Sequence, residues 1–413
     1  MPYTASENCT EASVHMDFVR GLAAIAVMLG HSRDLFFSSL NGHNPASLSH
    51  GAANLHPSQI TIGNEAVMVF FVLSGYLVGG SVLRSRGKWS WKSYLTMRLT
   101  RLWVVLLPAL VLTLALDLAG LSLFPQSTSI YQGPVGQSEV RANLIHTLTP
   151  TVLAGNALFL QTVLVPTAGS NIALWSLSNE FWYYLAFPLL VFALLPNGLR
   201  GSIPRRAAYV CAAVGGFFIL GLDGTILFVP WLLGASISIL PKRLGHRASF
   251  LLLVCAGILQ IPLMALVRRM PLDLHLAQMC TALSFGALLY VISNRRGPIQ
   301  SRFYRRMATG LSDLSYPLYL VHLPILVFLC ASINRPWHQW AKTPVHIAVV
   351  LGMNAIAIVV AFLFHACFQR HTASVRAVAW KIFATAQPSP SIAKVSPCIE
   401  PFVTRRLGES SQH

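Results

Sequence analysis

Apolar residues run through this chain in long blocks, separated by short segments of polar, glycine and proline residues. A helix needs about 20 apolar residues to cross roughly 30 Å of hydrocarbon. Blocks suited to that task fall near residues 18–38, 64–83, 102–124, 181–196, 207–222, 224–240, 248–267, 274–293, 313–333 and 345–367. They predict an all-α fold, a polytopic transmembrane bundle of about ten helices with no soluble catalytic domain. Only Leu222-Asp223-Gly224 divides the fifth block from the sixth, so one bent segment is the other reading there. The longest connection, residues 125–180, contains an apolar run from Ala157 to Val165 that is too short to span, which suits a re-entrant segment or one lying over an outward-facing site. The domain organisation is therefore an N-terminal segment 1–17, a membrane domain 18–367 and a basic tail 368–413. From Pro388 onward the tail lacks apolar periodicity, and disorder is expected.

Composition agrees with this pattern and charge adds direction. The chain is 54% hydrophobic and 10% charged, against roughly 25% charged in a soluble domain. Its formal net charge of +17 would suggest nucleic-acid binding in a soluble protein. Here 23 of the 30 Lys and Arg fall in segments 84–101, 197–206, 241–247, 294–312 and 368–413, whereas six fall on the other side of the ten-span arrangement. That asymmetry is the positive-inside signal, which puts both termini in the cytoplasm and accounts for the charge with no nucleic-acid partner. The seven cysteines form no CxxC pair and read as small apolar packing residues rather than metal ligands. The N-terminal MPYTASENCTEASVHMD lacks the layout of a cleaved signal peptide. No internal repeat is evident, which argues against transporters built from duplicated halves.

Ionisable residues within spans cost at least about 2.5–3.5 kcal/mol each at the helix centre, so each calls for a reason. Four places stand out. Arg20 and His31 lie eleven residues apart in the first span, almost three helical turns and about 16 Å, and so share one face. Either they serve chemistry, or they are a snorkelling arginine and a hydrogen-bonded bundle histidine. Glu65 opens the second span at about the depth of His31, and Ser74-Gly75 follow within it, where helix packing by small residues is the favoured physical account. Arg98 and Arg101, three apart on one face at the inner boundary, suit phosphate groups, or else simple anchoring beside the belt residue Trp103. Glu180, among the aromatic residues of LWSLSNEFWYY, enters from the outer side, while His322 lies near mid-membrane after Tyr319; an interfacial belt and a satisfied histidine are the plainer alternatives.

In order and on the expected spans, the segments DFVRGLAAIAVMLGHS, EAVMVFFVLSGYLV, RLTRL, LWSLSNEFWYYLAFPLL and LSYPLYLVHLPI resemble the acyltransferase family 3 proteins. These are bacterial integral-membrane O-acyltransferases of surface polysaccharides and related glycans, and the resemblance covers roughly residues 15–370. Met68 departs from it, standing where many members carry an aspartate. The resemblance implies that His31 is the catalytic base with Arg20 essential beside it, that Arg98 and Arg101 meet the acyl-CoA donor, and that Glu180 is the carboxylate of the LWSLSxE segment. It places Tyr319 and His322, with Glu65 and Ser74, around the substrate.

The implied reaction transfers an acyl group, most often acetyl, from cytoplasmic acyl-CoA to a hydroxyl of a saccharide or glycolipid. Acetyl-CoA or another acyl-CoA is then a co-substrate, with no tightly bound cofactor and no metal, and the setting is the bacterial inner membrane. A transporter or flippase for a lipid-linked sugar or an acyl group is the rival class, because intramembrane Arg, His and Glu also mark transport pathways.

Overall fold

The structure is a computed structural model that describes residues 10–37, 61–85, 89–132, 144–194, 203–270 and 272–383. Its long helices are α1 (Glu11–Phe36), α4 (Trp91–Leu123), α6 (Trp175–Leu194), α7 (Ile203–Ile226), α9 (His246–Arg269), α10 (Leu274–Ser293), α11 (Arg302–Ile333) and α12 (Pro344–Cys367). A further one is composite: α2 (Ile62–Ser74), a π-helical turn (Gly75–Gly79) and α3 (Gly80–Arg84) run on as one 23-residue rod. Shorter pieces are α5 (Pro150–Ala157), α8 (Phe228–Ile237) and α13 (Thr372–Phe383). Among the described residues no strand forms, as expected where lipid cannot satisfy backbone groups.

Local chemistry sets the helix starts. The side chains of Thr10, Thr61, Ser90, Asp273, Ser301 and Thr343 each accept a hydrogen bond from the backbone N–H three residues on, satisfying a donor that the first turn leaves free.

Nine helices among the described residues are long and apolar enough to cross a bilayer, and they match nine of the ten expected spans. The sixth, α8, has ten residues, about 15 Å of helix, which is half a hydrocarbon thickness. The boundary before it also differs from the expected break. Gly221, with φ 71° and ψ −176°, breaks the helical path of α7, which resumes to Ile226 before α8 begins.

α8 sits against the π turn, and glycine makes this possible. A Cβ on Gly234 would lie 1.9 Å from the Val72 carbonyl oxygen, and one on Gly75 would lie 1.8 Å from that of Trp231. The two backbones are therefore in direct contact, the close approach that small residues permit between membrane helices. Elsewhere α1 packs along α11 and α2, and α11 also packs on α12 and α4. Outward-facing apolar residues such as Phe218, Ile258, Ile261 and Phe362 coat the bundle, a surface suited to lipid. Of the five described cysteines only Cys330 is buried in the core; Cys211, Cys255 and Cys367 face outward from their helices.

The connection after α4 folds back into the bundle. Asp117 on α4 is fully buried and accepts from the Ser170 N–H and the Ser170 hydroxyl, each at 2.7 Å. Asn156 donates to the Val152 and Pro166 carbonyls and accepts from the Ala168 N–H. Trp103 Nε1 donates to the Ala157 carbonyl, and Ser178 and Trp182 both donate to that of Phe159. This segment does not span; it is pinned between α4 and α6.

The start of the tail is also ordered. α13 follows α12 after a short 3₁₀ turn (Gln369–His371) and lies against α4. The stretch from Pro388 lies outside the described residues.

Candidate functional site

Six of the nine residues singled out in the sequence line one cavity of about 110 Å³: Arg20, Ser74, Arg98, Arg101, Glu180 and Tyr319. A single water needs only about 10–15 Å³, so the space admits part of an organic substrate. Five elements contribute the polar wall, with Tyr319 coming from α11. α1 brings Arg20, the end of α2 brings Ser74, α4 brings Arg98 and Arg101, and α6 brings Glu180.

Three of the four charged groups, Arg20, Glu180 and Arg98, are held by neighbours. Arg20 Nη1 lies 3.8 Å from Asp17 Oδ1 and donates to Ser312 Oγ at 3.4 Å, while Ser312 donates to the same Asp17 oxygen at 2.9 Å. Glu180 Oε1 accepts from Ser74 Oγ at 2.7 Å and from the Tyr184 hydroxyl. Ser74 Oγ in turn accepts from Trp231 Nε1 at 3.2 Å. The Arg98 guanidinium stands over the Tyr94 and Tyr184 rings at 5.6 and 5.9 Å, a cation–π arrangement. Arg101 is exposed at the mouth and Arg98 half-buried behind it. Three guanidiniums thus face a lining with one carboxylate, an arrangement that favours anionic groups.

Glu180 differs from the expected arrangement. The sequence placed it toward the outer side with His31, apart from the arginines. The structure puts it in the arginine-lined cavity, because α6 enters behind the folded-back connection and Glu180 is already one turn into the helix when it meets Ser74. Ser74 and Gly75 prove to divide two jobs: the glycine packs on α8, and the serine holds the carboxylate.

His31, Glu65 and His322 form a second group that does not line the cavity. The His31 and His322 rings are 5.3 Å apart between centroids. His322 is fully buried, and its Nδ1 lies 2.9 Å from the Leu318 carbonyl oxygen. A carbonyl can only accept, so Nδ1 carries the hydrogen and a neutral ring keeps its lone pair on Nε2. Contact between Gly30 and Gly63 brings α1 and α2 together just before His31 and Glu65, placing those two side chains at one level. Glu65 is 1% exposed. Tyr319 joins the groups: it lines the cavity, donates to the Ala173 carbonyl at 2.8 Å, shares a short hydrogen bond with Ser176, and stands 6.1 Å from the His322 ring.

Sequence reasoning passed over Asp17, Tyr184, Ser176 and Trp231. Two of these carry a legible signal, since Asp17 is three residues before Arg20 and Tyr184 four after Glu180, the spacings at which helix neighbours meet. Ser176 and Trp231 reach the site through tertiary packing, for which the sequence holds no local mark.

Residues 14–365 match the family model described as an acyltransferase domain. Over 214 residues the chain is 28% identical to the acyltransferase MdmB of Streptomyces mycarofaciens, an alignment covering 52% of this chain and 44% of that relative. The chain thus matches less than half of that relative's length. No solved structure matches. The matched segment contains the whole polar wall, from Arg20 to Tyr319, together with His31, Glu65 and His322, and on that extent of agreement the chain belongs to acyltransferase family 3.

Proposed function

We propose that this protein is an integral-membrane O-acyltransferase that moves an acyl group, acetyl in the first instance, from acyl-CoA to a hydroxyl of a saccharide or glycolipid. The observation that carries this reading is the convergence of Arg20, Arg98 and Arg101 with Glu180 and Tyr319 on one cavity, with the His31–His322 pair directly beyond Tyr319.

The end of the bundle at which α1 begins faces the cytoplasm of a bacterial inner membrane, and both termini lie there. This orientation rests on the bias of Lys and Arg toward the connections at that end. Acyl-CoA enters at Arg101, and its phosphates are held by the arginines through charge-assisted hydrogen bonds. Its thioester arm runs past Glu180 and Tyr319 toward His31. The acceptor approaches from the opposite side.

His31 then takes the proton of the acceptor hydroxyl as the oxygen attacks the thioester carbonyl carbon. The new C–O bond forms, the C–S bond breaks, and the leaving thiolate receives the proton from His31, giving an ester and free CoA. An imidazole, which can both take and give a proton, suits both halves of this cycle. Glu65 is better placed than Glu180 to polarise His31, because it shares the level of that histidine while Glu180 is engaged with Ser74 and Tyr184.

Membranes containing the full chain, incubated with radiolabelled acetyl-CoA and a glycan extract, test the proposal. An acyltransferase leaves base-labile label on an acceptor and releases CoA in equal amount. Movement of label across the membrane with neither product would make the protein a transporter and end this reading.

A further inference from the structure

A second group of cations gathers around Tyr76, a residue of the π turn that does not line the arginine cavity. Arg84 closes α3, and its Nη1 folds back toward the turn, so that a Cβ built on Gly80 would meet it at 2.9 Å and Ser238 Oγ at 2.7 Å. Lys242, in the connection after α8, donates from Nζ to Ser293 Oγ at 2.5 Å and to the Tyr76 hydroxyl at 3.4 Å. Arg296, just past α10, donates from Nη2 to the Lys242 carbonyl oxygen at 3.2 Å. Three stretches of chain that are distant in sequence thus bring three cations and three hydroxyls to one place.

The protein does not neutralise this charge. Residues 75–101, 224–272 and 274–312 contain no Asp or Glu, and among the described residues no carboxylate pairs with Arg84, Lys242 or Arg296. Lys242 is held by neutral oxygens alone. Partial burial, followed by the positive charges of Arg84 and Arg296, pulls its pKa below the ordinary lysine value. Topology alone asks for lysine and arginine heads free in water at this end of the bundle. Here a lysine is instead drawn in beside two other cations, which costs energy through like-charge repulsion and desolvation. A phosphate group would reverse both effects, meeting the planar forks of Arg84 and Arg296, the point charge of Lys242 and the hydroxyl of Ser238.

We infer that Arg84, Lys242 and Arg296 form a phosphate-binding site separate from the arginine-lined cavity. The shared chemistry is an anionic phosphate, carried by a lipid headgroup or by a soluble phosphate monoester. The inference does not rest on the acyl transfer proposed above.

The test uses the full chain in a neutral maltoside detergent, with the thermal unfolding midpoint followed against three added probes. These are dioctanoyl phosphatidylglycerol, the zwitterionic dioctanoyl phosphatidylcholine, and adenosine 3′,5′-bisphosphate. Phosphatidylglycerol or the bisphosphate should raise the midpoint saturably and phosphatidylcholine should not. In the combined Arg84→Gln, Lys242→Gln, Arg296→Gln variant the apparent affinity should fall at least about tenfold. Of the responses that the combined variant weakens, one to the lipid alone assigns a headgroup site, one to the bisphosphate alone a soluble-phosphate site, and one to both a site open to either. The inference is overturned if neither probe acts on the unaltered chain, or if the combined variant binds as tightly as the unaltered one. Should the combined variant not elute as a single species, Lys242→Gln alone decides the matter: about threefold weaker binding supports the site, and unchanged binding overturns it.

Discussion

Ser74 on α2 donates a hydrogen bond to Glu180 on α6 at 2.7 Å and accepts one from Trp231 on α8 at 3.2 Å. One hydroxyl therefore ties three helices at the wall of the arginine-lined cavity and fixes the direction of the only carboxylate in that wall. Replacing it by alanine leaves the buried Trp231 N–H without its acceptor and Glu180 with one donor fewer. Ser74→Ala is expected to cost about 1–3 kcal/mol of stability and to lower acyl transfer, measured by thermal unfolding in detergent and by label incorporation. Stability equal to that of the unaltered chain would remove Ser74 from this role.

His31→Ala should lower acyl transfer by about 10²- to 10⁴-fold, the range for loss of a general base, with normal expression and an unchanged unfolding midpoint. Retention of full activity would sink the assignment of His31 as base. His322→Ala should also reduce transfer, though less, because its ring stands 5.3 Å from that of His31 and in the proposed mechanism supports the base without taking the hydroxyl proton.

Reversing Arg98 and Arg101 to glutamate should raise the KM for acyl-CoA by at least about tenfold, since each removes a charge-assisted contact worth roughly 1.5–3 kcal/mol. Acceptor KM should stay nearly constant. Steady-state kinetics with the two substrates varied in turn separates the two effects. An unchanged KM for acyl-CoA would place the donor elsewhere.

Gly234→Ala forces a methyl group into the space occupied by the Val72 carbonyl oxygen. Overpacking of this kind typically costs about 1–3 kcal/mol, and a backbone oxygen cannot step aside as a side chain can. The unfolding midpoint should fall clearly. Because Ser74 and Trp231 lie on the same two elements, transfer should fall with it. A neutral outcome would mean that α8 does not press on the π turn.

Asp117→Ala removes the acceptor of both Ser170 bonds and leaves a buried N–H unpaired, at a cost of about 1–3 kcal/mol. Limited proteolysis should then cut the segment between α5 and α6 sooner than in the unaltered chain. Asp117→Asn keeps an oxygen in place and should be closer to unaltered. Equal cutting of all three proteins would show that another contact pins this segment.

Much of this architecture is legible in the sequence because membrane spans depend on length and apolar content, which are local properties. Nine blocks became spanning helices, and the spacing of Arg98 to Arg101 survives as a shared cavity wall. What stayed hidden depends on contacts between elements. Leu222-Asp223-Gly224 looked like a break, yet the backbone turns at Gly221, because glycine alone adopts that positive φ without strain. Glu180 looked like an outer residue because depth was read from its place in the chain. The fold instead lowers it, through a connection whose anchor, Asp117, is an ordinary-looking aspartate near the end of α4. Trp231 offers no motif at all; only the contact of Gly75 with α8 brings its indole to Ser74.

The π turn at Gly75–Gly79 holds one residue more than an α-helical turn would, and the Gly80 N–H reaches back to the Gly75 carbonyl. On either side of it the rod carries different cargo, Ser74 before and Tyr76 to Arg84 within and after. Five residues of this wider turn sweep about the same angle as four of an α-helix. Removing a single residue there would close the widening into an ordinary turn and leave the half that bears Arg84 at nearly its present angle to the half that bears Ser74. What such a one-codon deletion would take away is the swelling on which α8 is seated.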